Sequence, residues 1–307
     1  MRVVFFGTPE FAVPSLRALL QAGHEVAAVV TQPDRAQGRS RSVLVPPPVK
    51  AYALAQGLEV LQPEKPVGDV FLEQLRRLRP EVGVVVAYGH ILRPAVLAVP
   101  PHGMLNVHAS LLPRHRGAAP IQWAILEGDA ETGVSIMRLD EGMDTGDVLE
   151  TASTPIADDD TAATLSARLA ELGAATLVHA LARVARGTDV YAPQDHARAT
   201  HAPKIDRGLA RIRWEEPAAR VARRVRAFDP APGAWTQLDG ADVKLFGARA
   251  AEGAGAPGTI LGADDALLVA CGSGAVRIVE VQPAGKRRLP VAEWRRGHPG
   301  VAGRRFA

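Results

Sequence analysis

Met1-Arg2-Val3-Val4-Phe5-Phe6-Gly7-Thr8-Pro9-Glu10-Phe11-Ala12-Val13-Pro14 opens the chain, and Glu25-Val26-Ala27-Ala28-Val29-Val30-Thr31 follows it. Val3–Phe6 is an unbroken apolar run closed by a glycine, which reads as a strand buried on both faces. Phe11–Gln21 places Leu16, Leu19 and Leu20 on one helical face, with Gly23 just past its end. Glu25–Thr31 reads as a second strand. The alternation continues with an amphipathic helix over Phe71–Leu78 and strands over Val82–Tyr88, Met104–His108 and Val134–Leu139. Strands separated by helices predict an α/β fold: a Rossmann-like, mainly parallel sheet covered on both faces.

The character changes further on. Residues 161–187 read as a long Ala/Leu helix ending at Gly187, and 188–207 show no strong periodicity. Pro217–Phe228 reads as a basic helix. Ala234–Leu238, Val243–Ala248, Ala266–Val269 and Val276–Val281 are short apolar runs separated by Asp239-Gly240, Gly258, Gly262 and Gly272/Gly274. Short strands with glycine turns predict a small β-barrel. The expected division is an α/β domain at 1–187, a linker at 188–207 and a barrel domain at 208–307.

Composition narrows the function. Of 307 residues, 47% are hydrophobic and 22% charged, which excludes global disorder. No window approaches 18 consecutive apolar residues, so no membrane partner is expected. One cysteine, Cys271, excludes a disulfide scaffold and a cysteine zinc site, and points to a reducing cytoplasm. The histidines are scattered without metal-ligand spacing, so no metal is expected. Residues 206–307 carry 17 Lys and Arg against 11 Asp and Glu, whereas residues 1–205 carry 19 against 22. A basic C-terminal third on a slightly acidic body suggests a polyanionic partner such as nucleic acid, or else a solvated basic surface.

Gly7-Thr8-Pro9 sits where a dinucleotide fingerprint would, with Asp34 after the second strand. The position that must let the backbone approach a pyrophosphate is Pro9, and Glu10 puts negative charge at the helix start. A nicotinamide or flavin role is therefore disfavoured.

The residues with more chemistry lie later. Strand alternation puts Asn106 and His108 on one face, with Val107 packed behind. A carboxamide can donate to a developing oxyanion, and an imidazole can move protons near neutral pH. Asp144 lies in Gly142-Met143-Asp144-Thr145-Gly146, where two glycines permit a tight turn that could aim its carboxylate at His108 or at an attacking amine. Taken alone, these residues read as a capped strand end and an ordinary Asp/Gly loop rather than as a site.

The run Asn106-Val107-His108-Ala109-Ser110-Leu111-Leu112-Pro113-Arg114-His115-Arg116-Gly117-Ala118-Ala119-Pro120-Ile121-Gln122 resembles the folate-dependent formyltransferases. Together with Gly7–Pro14, Thr31-Gln32-Pro33-Asp34-Arg35 and Met143-Asp144-Thr145-Gly146-Asp147, the chain is similar in particular to the members acting on methionyl-tRNA. Ala202-Pro203-Lys204-Ile205, Arg226-Ala227-Phe228-Asp229-Pro230 and Gln282-Pro283-Ala284-Gly285-Lys286 extend the similarity over nearly the whole chain. Arg213 before Trp214, His201 and His115 depart from the family pattern.

The resemblance implies transfer of a formyl group from 10-formyltetrahydrofolate to the α-amino group of methionyl initiator tRNA, and a C-terminal barrel of OB type. It assigns catalysis to Asn106, His108 and Asp144, and folate binding to Ser110, Leu111, Leu112 and Pro113. The segment Asp34–Lys50 is long for an α/β connection. The resemblance makes it a contact for the tRNA acceptor end through Arg35, Arg39, Arg41 and Lys50, with Arg39 foremost. Lys204, Arg220, Arg223 and Lys286 would track tRNA phosphates, which supply affinity rather than sequence choice. A monomer is expected. The competing readings are a sugar-nucleotide formyltransferase, a formyltetrahydrofolate hydrolase and a non-catalytic RNA-binding protein on the same scaffold.

Overall fold

A computed structural model describes residues 1–37 and 43–307. They form two compact units, one of residues 1–117, 133–154 and 166–201, the other of residues 118–132, 155–165 and 202–307. The first nine strands are β1 (Arg2–Gly7), β2 (Glu25–Val30), β3 (Arg35–Gln37), β4 (Val43–Val45), β5 (Val60–Leu61), β6 (Val82–Val86), β7 (Met104–His108), β8 (Glu131–Arg138) and β9 (Val148–Pro155). The helices are α1 (Val13–Gln21), α2 (Pro48–Ala55), α3 (Asp69–Leu78), α4 (Pro94–Leu97), α5 (Pro120–Glu127), α6 (Ala162–Ala185), α7 (Ala218–Ala227) and α8 (Val291–Trp294).

The first unit is built on a seven-stranded sheet of order β5-β2-β1-β6-β7-β8-β9. Pairing is parallel from β5 through β7 and turns antiparallel between β7 and β8. The unbroken apolar strands follow from helices on both faces. Val3, Phe5, Leu105 and Val107 pack with Leu16 and Leu19 of α1, Val49 and Ala53 of α2, and Leu177 and Leu181 of α6. Val4, Phe6 and Met104 point the other way, to Phe71 and Leu75 of α3. Each fully buried side chain of this size contributes about 1.5–3 kcal/mol relative to exposure. At Gly173 of α6 an added Cβ would stand 2.8 Å from Val107 Cγ1, so the helix needs a glycine to lie this close to β7.

The segment after β2, which reads as a polar loop in sequence, contains β3 and β4 paired antiparallel as an isolated two-stranded ribbon and runs directly into α2. Val43 and Leu44 are exposed. A ribbon that packs neither face on the core leaves no apolar alternation to read. β9 and α5 were also unmarked by periodicity: β9, Val-Leu-Glu-Thr-Ala-Ser-Thr-Pro, buries only Leu149.

The second unit adds β10 (Ala234–Leu238), β11 (Ala241–Ala251), β12 (Ile260–Ala263), β13 (Leu267–Ala270), β14 (Ala275–Pro283) and β15 (Leu289–Pro290). The sheet has order β10-β11-β14-β13-β12, with β15 on β14, and every pair is antiparallel. Its two edges are joined by the last residues. Ile260 N donates to Arg304 O (2.9 Å), Phe306 N to Gly258 O (2.9 Å) and Ala307 N to Gln237 O (2.9 Å). That segment satisfies both open edges and closes the sheet toward a barrel. Trp214 stacks on Phe306 with centroids 5.5 Å apart and donates from Nε1 to Thr236 Oγ1 at 3.0 Å. α7 buries Val221 and Val225, and its buried Arg224 is neutralised by Glu216 at 3.1 Å.

Candidate active site

β7 ends at the carboxyl edge of the sheet, where ligands of open α/β folds bind. There Tyr88 O, just beyond β6, accepts from Thr8 Oγ1 (3.0 Å) and Gln32 Nε2 (3.2 Å), which ties together the ends of three neighbouring strands. On β7, Asn106 and His108 project to one side while Val107 enters the core. Asn106 is half-buried, and among the described residues none hydrogen-bonds its carboxamide. It is a donor held on a rigid strand and open to a ligand.

His108 is buried. Its Nε2 donates to His115 O at 3.0 Å, and its Nδ1 lies 3.5 Å from Asp144 Oδ1. Both neighbours are acceptors. A ring carrying a proton on each nitrogen meets both of them, whereas a neutral ring meets one at a time. Asp144 Oδ2 accepts from Gly117 N at 2.8 Å, so the carboxylate bridges the imidazole and the loop that follows β7.

The turn after β8 brings Asp144 back to β7. Asp140 starts it by accepting from Gly142 N (3.0 Å) and Thr145 Oγ1 (2.8 Å), a side-chain-stapled turn. Asp144 takes φ 55°, a left-handed backbone that costs a non-glycine residue about 1–2 kcal/mol. At Gly146 an added Cβ would collide with Arg138 O. The turn therefore lies flat against the end of β8.

Two buried side chains hold this turn. Gln194 Nε2 donates to Asp144 O (2.9 Å) and Gly146 O (2.7 Å), while its Oε1 accepts from Arg116 Nε (3.1 Å) and Nη2 (2.6 Å). Arg116 Nη2 also meets His196 Nδ1 at 3.1 Å. Neither Arg116 nor Gln194 stands out in the sequence as a site residue. Gln194 lies in the stretch that reads as a linker, and nothing in its local pattern signals a contact 50 residues away.

Ser110 is fully buried and turned inward. Its Oγ donates to Arg114 O at 2.6 Å, and its carbonyl accepts from Ser135 Oγ at 2.7 Å. Leu112 N donates to the same Ser135 Oγ at 3.0 Å. Leu111, Leu112 and Pro113 are half-buried, so this loop offers apolar surface rather than a free hydroxyl.

Of the basic residues singled out in sequence, Arg39 and Arg41 lie outside the described residues. Arg35 on β3 is engaged by Gln32 Oε1. Lys50 Nζ holds both oxygens of Asp34 at 2.8 Å, and Gln62 Nε2 reaches Oδ1 at 2.8 Å. The hydrogen bonds from Gln62 and Lys50 hold the Asp34 carboxyl below its usual range. Lys204, Arg220, Arg223 and Lys286 all belong to the second unit. Lys204 and Lys286 are exposed, Arg220 lies 3.8 Å from Glu216, and Arg223 is half-buried against Gly128. Among the described residues no cluster of His, Cys, Asp or Glu could hold a metal ion, and no helix is long and apolar enough to cross a membrane.

Comparison with known proteins agrees with this architecture. A family model described as formyl transferase matches residues 1–181, and one described as formyl transferase, C-terminal domain, matches residues 204–299. The methionyl-tRNA formyltransferase of Chromobacterium violaceum is 50% identical over 308 residues, covering 100% of this chain and 99% of that protein. The methionyl-tRNA formyltransferase of Methylococcus capsulatus is 49% identical over 308 residues, with the same 100% and 99% coverage. Among solved structures, the N-formyltransferase from Helicobacter canadensis in complex with folinic acid and dTDP-3-aminofucose superposes with a TM-score of 0.70 at 17% identity, covering 92% of this chain and 98% of that one. HypX from Aquifex aeolicus in complex with tetrahydrofolic acid gives a TM-score of 0.67 at 23% identity, covering 96% of this chain and 47% of that one. These two structures share the fold. The matches to both family models and the near-half identity along the whole chain carry the stronger conclusion: the chain belongs to the formyl transferase family, among its methionyl-tRNA formyltransferase members.

Proposed function

We propose that this enzyme transfers the formyl group of 10-formyltetrahydrofolate to the α-amino group of methionyl initiator tRNA. The observation that carries this reading is the full-length similarity to methionyl-tRNA formyltransferases, together with an amide, an imidazole and a carboxylate on one sheet edge. The folate co-substrate supplies the activated formyl group. The open Asn106 carboxamide and the half-buried apolar Leu111–Pro113 suit a formyl oxygen and a flat heterocycle.

The amine attacks the formyl carbon, a C–N bond forms, and the bond to the folate nitrogen breaks. Asn106 donates to the formyl oxygen as negative charge develops, a contribution typically of about 10²–10³ in rate. His108 relays the proton lost by the amine toward the departing nitrogen, its Nε2 exchanging the His115 carbonyl for the substrate while Nδ1 stays on Asp144, worth about 10²–10⁴. Asp144 fixes the ring and stabilises its charged form. Arg35, Arg39, Arg41 and Lys50 meet the tRNA acceptor end, and Lys204, Arg220, Arg223 and Lys286 follow its phosphates. We take residues 1–187 as the catalytic domain, 208–307 as the tRNA-binding domain, and a cytoplasmic monomer as the working unit.

The test is a formyl-transfer assay with radiolabelled 10-formyltetrahydrofolate and three acceptors: initiator methionyl-tRNA, elongator methionyl-tRNA and a nucleotide-linked amino sugar. Label on the initiator tRNA supports the reading. Efficient labelling of the amino sugar with none on charged tRNA overturns it.

A further inference from the structure

We propose that Gln194 is a positioning residue for the reaction, setting the Asp144 carboxylate through the Asp144 backbone and held in turn by Arg116. The inference rests on the role given above to Asp144. Asp144 is in a left-handed conformation that its own side chain does not enforce, since that side chain is committed to Gly117 N and to His108. The turn is instead gripped from the side by one carboxamide that donates to both Asp144 O and Gly146 O.

The orientation of that carboxamide is fixed by its surroundings. Arg116 can only donate, so Gln194 Oε1 must face it, and the two Nε2 protons are left for the two carbonyls. Arg116 and Gln194 are both buried, which makes each unpaired alternative costly. Arg116 immediately precedes Gly117, whose N–H binds the Asp144 carboxylate. One buried pair therefore ties the two backbone segments that hold Asp144: the loop after β7 and the turn after β8. Loss of the grip lets the carboxylate drift from His108 without touching either substrate.

Gln194→Glu separates this role from simple packing. It keeps the side-chain shape and the Arg116 contact, but a carboxylate has no proton for Asp144 O or Gly146 O. In the full-length enzyme, Gln194→Glu and Gln194→Ala should each lower kcat by about 10–100-fold, because small misplacements of a reacting group carry costs of that order. KM for the folate and for methionyl-tRNA should stay close to wild type in both variants; both should fold, with the melting temperature lower in Gln194→Ala, which takes the Gln194 acceptor from buried Arg116, than in Gln194→Glu, which keeps that contact. In an Asp144→Asn background, Gln194→Ala should lower kcat no further, since residues acting as a unit are non-additive.

Unchanged kcat in Gln194→Glu overturns the proposal. So does an equal loss in the Asp144→Asn background, and so does a failure of both Gln194 variants to fold, which would make the residue purely structural. Wild-type transfer to methionyl-tRNA tests the functional reading separately. If another amine proves to be the acceptor, the same variant-to-wild-type ratios are measured on it.

Discussion

Asp144→Asn changes charge at the site with almost no change in shape. Asn can keep the hydrogen bond from Gly117 N through its Oδ1, which places its amino group toward His108 Nδ1. An amino group can only donate, so the imidazole is then fixed with Nδ1 as acceptor and its proton on Nε2, facing His115 O. The fold is preserved and the relay is not. The charge lost lies 3.5 Å from the ring, where a unit pair at an effective dielectric of about 20 is worth about 5 kcal/mol. Asp144 keeps some solvent contact, which reduces this to about 3–4 kcal/mol, or roughly 10²–10³ in kcat. Single-turnover formyl transfer at saturating substrates reads that number, with thermal unfolding as the control for fold. A loss below about tenfold, or a matching fall in melting temperature, would refute the role given to the carboxylate.

Other outcomes follow from the same structure. Arg39→Ala should raise KM for tRNA while folate binding stays near normal; equal loss of both would make the segment structural. Gly146→Ala forces a methyl against the Arg138 carbonyl, so it should cost about 1–3 kcal/mol of stability and lower kcat together, read by urea unfolding and turnover. Burial pushes the Cys271 thiol from 9.0 up to about 11, so native protein at pH 8 should react with thiol reagents far more slowly than protein in urea. Because the folded value is the higher one, the stability that this group contributes is full below pH 9 and lost as pH rises toward about 11. The urea midpoint should fall more steeply over that range in wild type than in Cys271→Ala.

What the sequence revealed depends on the range of the forces involved. β1 and β6 were legible because their apolar runs are buried on both faces, and the second-domain strands because glycine turns punctuate them. The β3–β4 ribbon was not, since neither of its faces is buried in the core. Asn106, His108 and Asp144 emerged as a group only through family resemblance, because Asp144 reaches His108 by a turn whose geometry is set elsewhere. Gln194 and Arg116 left no local trace: their side-chain hydrogen bonds span 48 to 80 residues, and no periodicity encodes such a contact. The resemblance assigns Ser110 to folate binding as part of its segment, and no local pattern foretells that its hydroxyl donates to Arg114 O inside its own loop.

The central claim is that Asn106, presented by β7 beside the His108–Asp144 pair, stabilises charge on the formyl oxygen during transfer to methionyl-tRNA. Rapid-quench measurement of labelled formyl transfer by wild type and Asn106→Ala, with tRNA affinity measured in parallel, addresses it directly. The account predicts a rate lower by about 10²–10³ with tRNA affinity unchanged. An undiminished rate in Asn106→Ala, or a loss explained wholly by weaker tRNA binding, would contradict it.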